Sequence, residues 1–239
     1  MPLSVIQGGS TPPLPTARVI APTITLMTGM FADNTAIDES LHYAFAHEDF
    51  AEIDVASFAW SVTNLTHPAN NVYNSTGQAS NVFEFDFTRH ATDQSILLVR
   101  CMVTDTDGGV GEGVALIGPI KRTTGSPFHN VLIPRIGISA DINTLAVTVS
   151  QNRSQNYYYD GLGTNNWVQL PTHAYWIDWD ADGTPDITMP DSTTLIGRQY
   201  TYPAPAGFEL YFTHDNNNDY IVTVGFSPQY CQVCRVYFN

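Results

Sequence analysis

The densest chemistry in this chain lies between Asp178 and Asp186. Asp178, Asp180 and Asp182 alternate, Gly183 follows, and Asp186 completes a D-x-D-x-D-G-x-x-D pattern. Four carboxylates within nine residues repel one another unless something neutralises them. Hard cations such as Ca2+ take several oxygen ligands from a loop that curls, and glycine supplies a sharp turn. Asp178, Asp180, Asp182 and Asp186 are therefore candidate Ca2+ ligands. The pattern is not an EF-hand, because its twelfth position is Met189 and Pro185 removes a backbone donor. The competing reading is a solvated acidic turn whose aspartates accept hydrogen bonds from the backbone.

Two further acidic groups, Asp105 with Asp107 and Asp215 with Asn217 and Asp219, fall where hairpin tips are expected. A cation fits them, and Asx turns explain them with less. Cys231 and Cys234 form a C-x-x-C, but zinc would require a second pair and only Cys101 remains. Positions i and i+3 of a strand point to opposite faces, so a disulfide or half a metal site needs a turn such as Ser227-Pro228 can provide, and free thiols are the expectation. Tyr157, Tyr158 and Tyr159, with Trp167 beyond them in a Gly/Asn-rich stretch, suit either glycan stacking or packing within the protein or against a neighbour. No nucleophile elbow, phosphate loop or zinc-protease spacing occurs. Paired-carboxylate glycosidase chemistry is not excluded by composition, yet nothing assigns a pair to a cleft. The expectation is a protein that is not an enzyme, with no catalytic residue.

The composition narrows the partners. The 239 residues carry 9 Lys+Arg against 23 Asp+Glu, a formal net charge of −14. Nucleic-acid binding needs basic patches, so it is not expected. Charged residues make up 13% of the chain, about half of the ~25% common in globular proteins. Surface buried against protein partners follows as an expectation. Aromatics at 12% argue against disorder. No apolar run suits a transmembrane helix. Met1 to Ser10 has no basic n-region and no long apolar stretch, so synthesis in the cytoplasm without a signal peptide is expected.

These side chains must be positioned mainly by strands. Short runs rich in Val, Ile, Thr, Phe and Tyr recur: Arg18 to Leu26, Phe58 to Thr63, Asn81 to Phe87, Ser95 to Thr104, Gly113 to Ile120, Thr144 to Val149, Tyr175 to Trp179, Phe208 to Phe212 and Tyr220 to Phe226. Gly, Pro, Asn and Asp separate them. Helical periodicity shows only faintly, at Asp38 to Phe50 and Ala51 to Phe58. The Pro-rich stretch Gln7 to Pro15 makes residues 1–15 an extended arm. Lys121 to Pro127 is the best boundary between two similar halves, 16–122 and 123–239. Each half has an aromatic-bearing strand early, at Trp60 and at Trp176 to Trp179, and ends in a strand–turn–strand. The fold class expected is all-β: two tandem immunoglobulin-like β-sandwich domains after an N-terminal arm, with Trp60, Trp176 or Trp179 in their cores.

Particular segments also resemble a family. Val103 to Gly111 (VTDTDGGVG) resembles the closing hairpin of polycystic-kidney-disease (PKD) type immunoglobulin-like domains. Trp176 to Asp186 (WIDWDADGTPD) and Tyr200 to Gly207 (YTYPAPAG) resemble two further segments of that family. The pattern departs at Ala206-Gly207, which holds an added residue, and at Asn216 to Asn218, which lacks a glycine. The resemblance implies a β-sandwich used as spacer, adhesion or interaction module, without catalytic residues. Together with the composition it suggests a virion structural protein, a bacteriophage capsid decoration or tail component. Its partners would be other virion proteins or copies of itself, without membrane insertion. The alternatives are a cell-surface adhesin or stalk, and a carbohydrate-binding module.

Overall fold

The computed structural model describes residues 17–27, 42–49, 54–68, 73–78, 80–86, 95–118, 121–123, 126–159, 168–169, 174–189, 195–203, 207–215 and 231–238. They form nineteen strands and no α-helix. In chain order the strands are β1 (Ala17–Ile20), β2 (Pro22–Leu26), β3 (His42–Asp49), β4 (Val55–Asn64), β5 (Tyr73–Gln78), β6 (Val82–Asp86), β7 (Leu97–Asp105), β8 (Val110–Ile117), β9 (Lys121–Thr123) and β10 (Ser126–Ile133). Then follow β11 (Ile136–Asp141), β12 (Ala146–Asn152), β13 (Gln155–Tyr159), β14 (Val168–Gln169), β15 (Ala174–Asp178), β16 (Ile187–Met189), β17 (Gln199–Thr201), β18 (Gly207–Asp215) and β19 (Gln232–Phe238). The protein is all-β, and every pairing among the described residues is antiparallel.

The faint helical pattern at Asp38 to Phe50 and Ala51 to Phe58 does not become helix where it is described: β3 and β4 occupy these stretches. The physical reason is a period of two. The rings of Tyr43 and Phe45 enter the first core from β3, where the small Ala44 between them is buried as well, and on β4 Trp60, Val62 and Asn64 are buried in alternation. The segment Tyr220 to Phe226 lies outside the described residues.

Thirteen strands make one large sheet, faced by two three-stranded sheets, β2-β3-β6 and β11-β12-β17. One core lies under β2-β3-β6 and the other under β11-β12-β17. In the first, Trp60 stacks on Phe83 at 5.4 Å, Phe83 on Phe85 at 5.7 Å, and Phe85 on Tyr43 at 5.8 Å. In the second, Trp179 is buried and stacks on Tyr200 at 5.9 Å, while the Tyr202 hydroxyl donates to the Trp179 carbonyl at 2.6 Å. Trp60 and Trp179 thus fill the two cores; the side chain of Trp176 lies outside the described residues.

The large sheet forks at β8. Its Leu116 and Ile117 pair with Leu132 and Val131 of β10, whereas its Glu112 pairs with Val233 of β19. Strand β1 continues along the same side of β19, from Ile20↔Arg235 to Ala17↔Phe238. Lys121 to Pro127 forms the start of a hairpin, Ser126↔Thr123 and Pro127↔Arg122. Hydrogen bonding is therefore continuous between strands on the two sides of that segment.

The run Arg18 to Leu26 is not one strand. It divides at Ala21, with β1 in the large sheet and β2 in the facing layer beside β3. Pro22 has no N–H to donate to a ladder, and its fixed φ suits the place where the chain leaves one sheet for the other. The crossing runs over a glycine face of β8. A Cβ on Gly111 would lie 2.6 Å from Cδ of Pro22, and one on Gly113 would lie 2.9 Å from Cγ2 of Ile24 and 3.2 Å from its backbone nitrogen. The side-chain period of two puts both glycines under the crossing strand.

A buried glutamine ties the second core across its layers. Gln232 is 0% exposed; its Oε1 accepts from Ile136 N at 2.9 Å and its Nε2 donates to Ile136 O at 2.9 Å. The side chain thereby supplies both bonds that a strand neighbour would make.

Three stability predictions follow from these contacts. Gly113→Ala should cost about 1–3 kcal/mol, because the added methyl meets backbone as well as side chain. A lower urea midpoint with an unchanged slope would bear this out, and an unchanged midpoint would refute it. Gln232→Leu removes both partners of Ile136 and should cost about 1–3 kcal/mol for each backbone group left unpaired. Gln232→Glu should lose stability as pH rises, since only the protonated carboxyl can still donate to the Ile136 carbonyl. A pH-independent midpoint for that variant would count against the bidentate bond.

Candidate metal centre

The acidic loop joins β15 to β16. Strand β15 delivers Asp178 at its end, fully buried, and Trp179 enters the core behind it. The chain then curls through two residues of positive φ, Ala181 at 57° and Gly183 at 92°. Only glycine adopts this region freely, so Ala181 is held there by its surroundings. The Asp186 amide donates to the Ile177 carbonyl at 2.9 Å and closes the loop.

This curl brings Asp178, Asp180 and Asp186 together, with one oxygen from each within 4.8 Å of the others. Asp182, the fourth candidate, stands outside that trio and accepts the Thr184 amide at 2.7 Å. The three clustered carboxylates also accept backbone donors. Asp178 Oδ2 takes the Gly183 amide at 2.8 Å, and Asp186 Oδ2 takes the Trp179 amide at 2.7 Å. Asp178 Oδ1 and Asp180 Oδ1 share the Asp182 amide, each at 3.3 Å. A calcium ion takes six to eight oxygens, so three carboxylates are half a shell or less, and water or backbone carbonyls would supply the rest.

Burial pushes the Asp178 carboxyl above its ordinary value; the Gly183 amide pulls it down, and the neighbouring Asp180 carboxyl pushes it up again. The folded state therefore holds a proton on Asp178 over a range where the unfolded chain has released it. Stability from this group is present at low pH and declines as pH rises through the raised value. A bound cation would offset the same penalty at neutral pH.

The other candidates are placed differently. Asp105 is buried at the tip between β7 and β8, where its Oδ1 accepts the amides of Asp107 at 3.1 Å and Gly109 at 2.6 Å. Arg18 from β1 neutralises the tip, reaching Asp107 at 2.6 Å and Asp105 at 3.4 Å while lying 4.5 Å over the Tyr237 ring. A guanidinium thus occupies the place proposed for a cation. Asp215 ends β18 and its side chain is outside the described residues, as are Asn217 and Asp219.

Cys101, Cys231 and Cys234 are buried and form no disulfide. Burial raises the Cys101 thiol and pushes Cys231 up to about 12, so both remain protonated at neutral pH and are poor metal ligands. Tyr157 and Tyr158 are consecutive on β13 and leave opposite faces, Tyr157 toward the first core. They do not share one stacking surface. The Tyr159 side chain and Trp167 lie outside the described residues.

Two polar clusters escape sequence reasoning. Asn64 Oδ1 accepts the amides of Thr66 at 3.1 Å and His67 at 2.8 Å, while its Nδ2 donates to buried Ser95 at 3.2 Å. Glu48 of β3 pairs with buried Arg135 and lies 3.7 Å from Arg153. Ser95 is 31 positions from Asn64, and Arg135 and Arg153 are 87 and 105 from Glu48, so no local spacing announces these pairings.

In the presence of a chelator, Asp178→Asn should flatten the dependence of the thermal midpoint on pH across the acidic range, because it removes the group whose pKa is raised. Parallel pH curves for the two proteins would show that Asp178 is not held in a raised state. Compared with protein-family models, curated proteins and solved structures, the chain matches none.

Proposed function

We propose that this chain is a non-enzymatic structural protein of a virus particle, a bacteriophage capsid decoration or tail component built from PKD-type immunoglobulin-like sandwiches. It acts through protein–protein contacts. The observation that carries this reading is the fork at β8, which pairs with β10 and with β19. One hydrogen-bonded sheet thereby serves both cores, giving a stiff body that keeps fixed spacing between contact surfaces. The described polar interior supports it too, since Gln232, Arg135 with Glu48, and Arg18 with Asp105 all hold one part of the chain to another. Low overall charge suits surface covered by neighbours in an assembly.

Residues 1–15 are outside the described residues, but the strand they lead into is anchored: β1 pairs with β19 along four residues. Pro12, Pro13 and Pro15 favour an extended conformation, which lowers the entropy lost when an arm docks on a neighbour. Ca2+ held by Asp178, Asp180 and Asp186 would brace the loop between β15 and β16. Added calcium should then raise the melting midpoint of the wild type and leave Asp180→Ala unchanged. Equal midpoints with calcium and with chelator would leave the loop as an acidic turn.

Cryo-EM and mass spectrometry of particles purified from the source test the main reading. The protein should occupy repeating positions, and deleting residues 1–15 should abolish incorporation while the isolated protein keeps its melting point. Recovery only from a cell envelope would favour an adhesin or stalk. Glycan binding lost on Tyr158→Ala would favour a carbohydrate-binding module.

A further inference from the structure

We propose that His47 is an acid-sensitive latch for the β2-β3-β6 layer, whose protonation loosens that layer from the rest of the first sandwich. The register places it. Tyr43 and Phe45 of β3 are buried in the first core, and the period of two sends His47 to the same face. Its ring meets Phe58 of β4, in the opposing sheet, with centroids 5.1 Å apart. The imidazole thus ends the interlayer contact that the aromatic residues begin.

The ring is suited to the neutral state alone. Its Nε2 is sealed from solvent and has no hydrogen-bond partner. An imidazolium donates from both nitrogens, so protonation would bury a charge and an unsatisfied donor together. Around it, β2 sets Ile24 opposite in the ladder, β4 contributes Phe58, and the Asn81 carbonyl before β6 takes only the backbone amide of His47, at 2.8 Å. The adjacent Glu48 falls on the other face, where Arg135 and Arg153 engage it. Asp54, ahead of β4, is exposed. The side chains of His42, Asp49 and Asp86 lie outside the described residues.

Burial lowers the His47 pKa from 6.5 to about 4. With the folded value below the unfolded one, the stabilisation is complete above the ordinary imidazole range. It is lost as pH falls from about 6.5 toward 4. Linkage over that window corresponds to a roughly hundredfold rise in the unfolding equilibrium constant.

The experiment compares urea unfolding and amide exchange of the full chain between pH 7.5 and 4 in wild type, His47→Phe and Glu48→Gln. The expected result is a steep acid loss in wild type and Glu48→Gln, with early loss of protection in β3, and a loss roughly a hundredfold smaller in His47→Phe. Identical acid dependence in wild type and His47→Phe overturns the proposal. So does flattening in Glu48→Gln alone, which would assign the effect to the arginine pairs. Should His47→Phe fail to fold, NMR titration of the wild-type ring decides. A ring still neutral at pH 5 in the folded protein supports the latch, and one titrating near its ordinary value with β3 protection intact overturns it.

Discussion

The close approach of β2 to β8 governs this fold. Between Ile20 and Pro22 the chain leaves the sheet of one core and enters the facing layer of the other. It can do so at that separation only because Gly111 and Gly113 present no side chain to it. At Gly113 the obstacle to a methyl group includes the backbone of the crossing strand, which cannot rotate away as a side-chain tip would. The two cores are consequently sewn together by the segment that links β1 to β2: Ala21 packs in one and Ile24 in the other. The fork of β8 toward β10 and β19 fixes the same relation from the sheet side.

Polar groups inside this scaffold act over long sequence separations. Gln232 supplies a strand's worth of hydrogen bonding to Ile136 across the second core. Burying an amide carries a cost that is recovered only when both its donor and acceptor are matched, as they are here. Arg135 carries the larger penalty of a buried charge, which lowers its pKa, and Glu48 of β3 is its counter-charge. The Arg135 amide and carbonyl bond Ser154 and Arg153, so both arginines arrive at Glu48 from one joined pair of loops.

The two acid-rich turns show how one composition yields different electrostatics. At the β7–β8 tip, Arg18 comes from 87 positions away and compensates Asp105. At the β15–β16 loop, the described surroundings of Asp178 are backbone amides and another carboxylate. Backbone dipoles lower a carboxylate's energy but do not cancel its charge. The second turn therefore keeps the desolvation penalty on the charged form of Asp178, which raises its pKa.

The strand content was legible in the sequence because a half-buried strand must alternate, and Trp60, Val99 with Cys101, and Val147 with Val149 do so. The acidic loop was legible as well, since Asp178, Asp180 and Gly183 are close in sequence and their turn chemistry is local. The weak helical spacing around Asp38 to Phe58 misled because aromatic residues scattered in one dimension carry no sign of which sheet will cover them. Composition could not reveal that Asp182 would cap Thr184 while Asp186 joined the trio, since that choice depends on the left-handed turn at Ala181. Nor could it assign Arg18 to Asp105, Arg135 to Glu48 or Gln232 to Ile136. Local periodicity and turn residues set which segments become strands. Only the tertiary structure decided which sheets they join and which buried charges meet, because those pairings are selected by shape and desolvation across the fold.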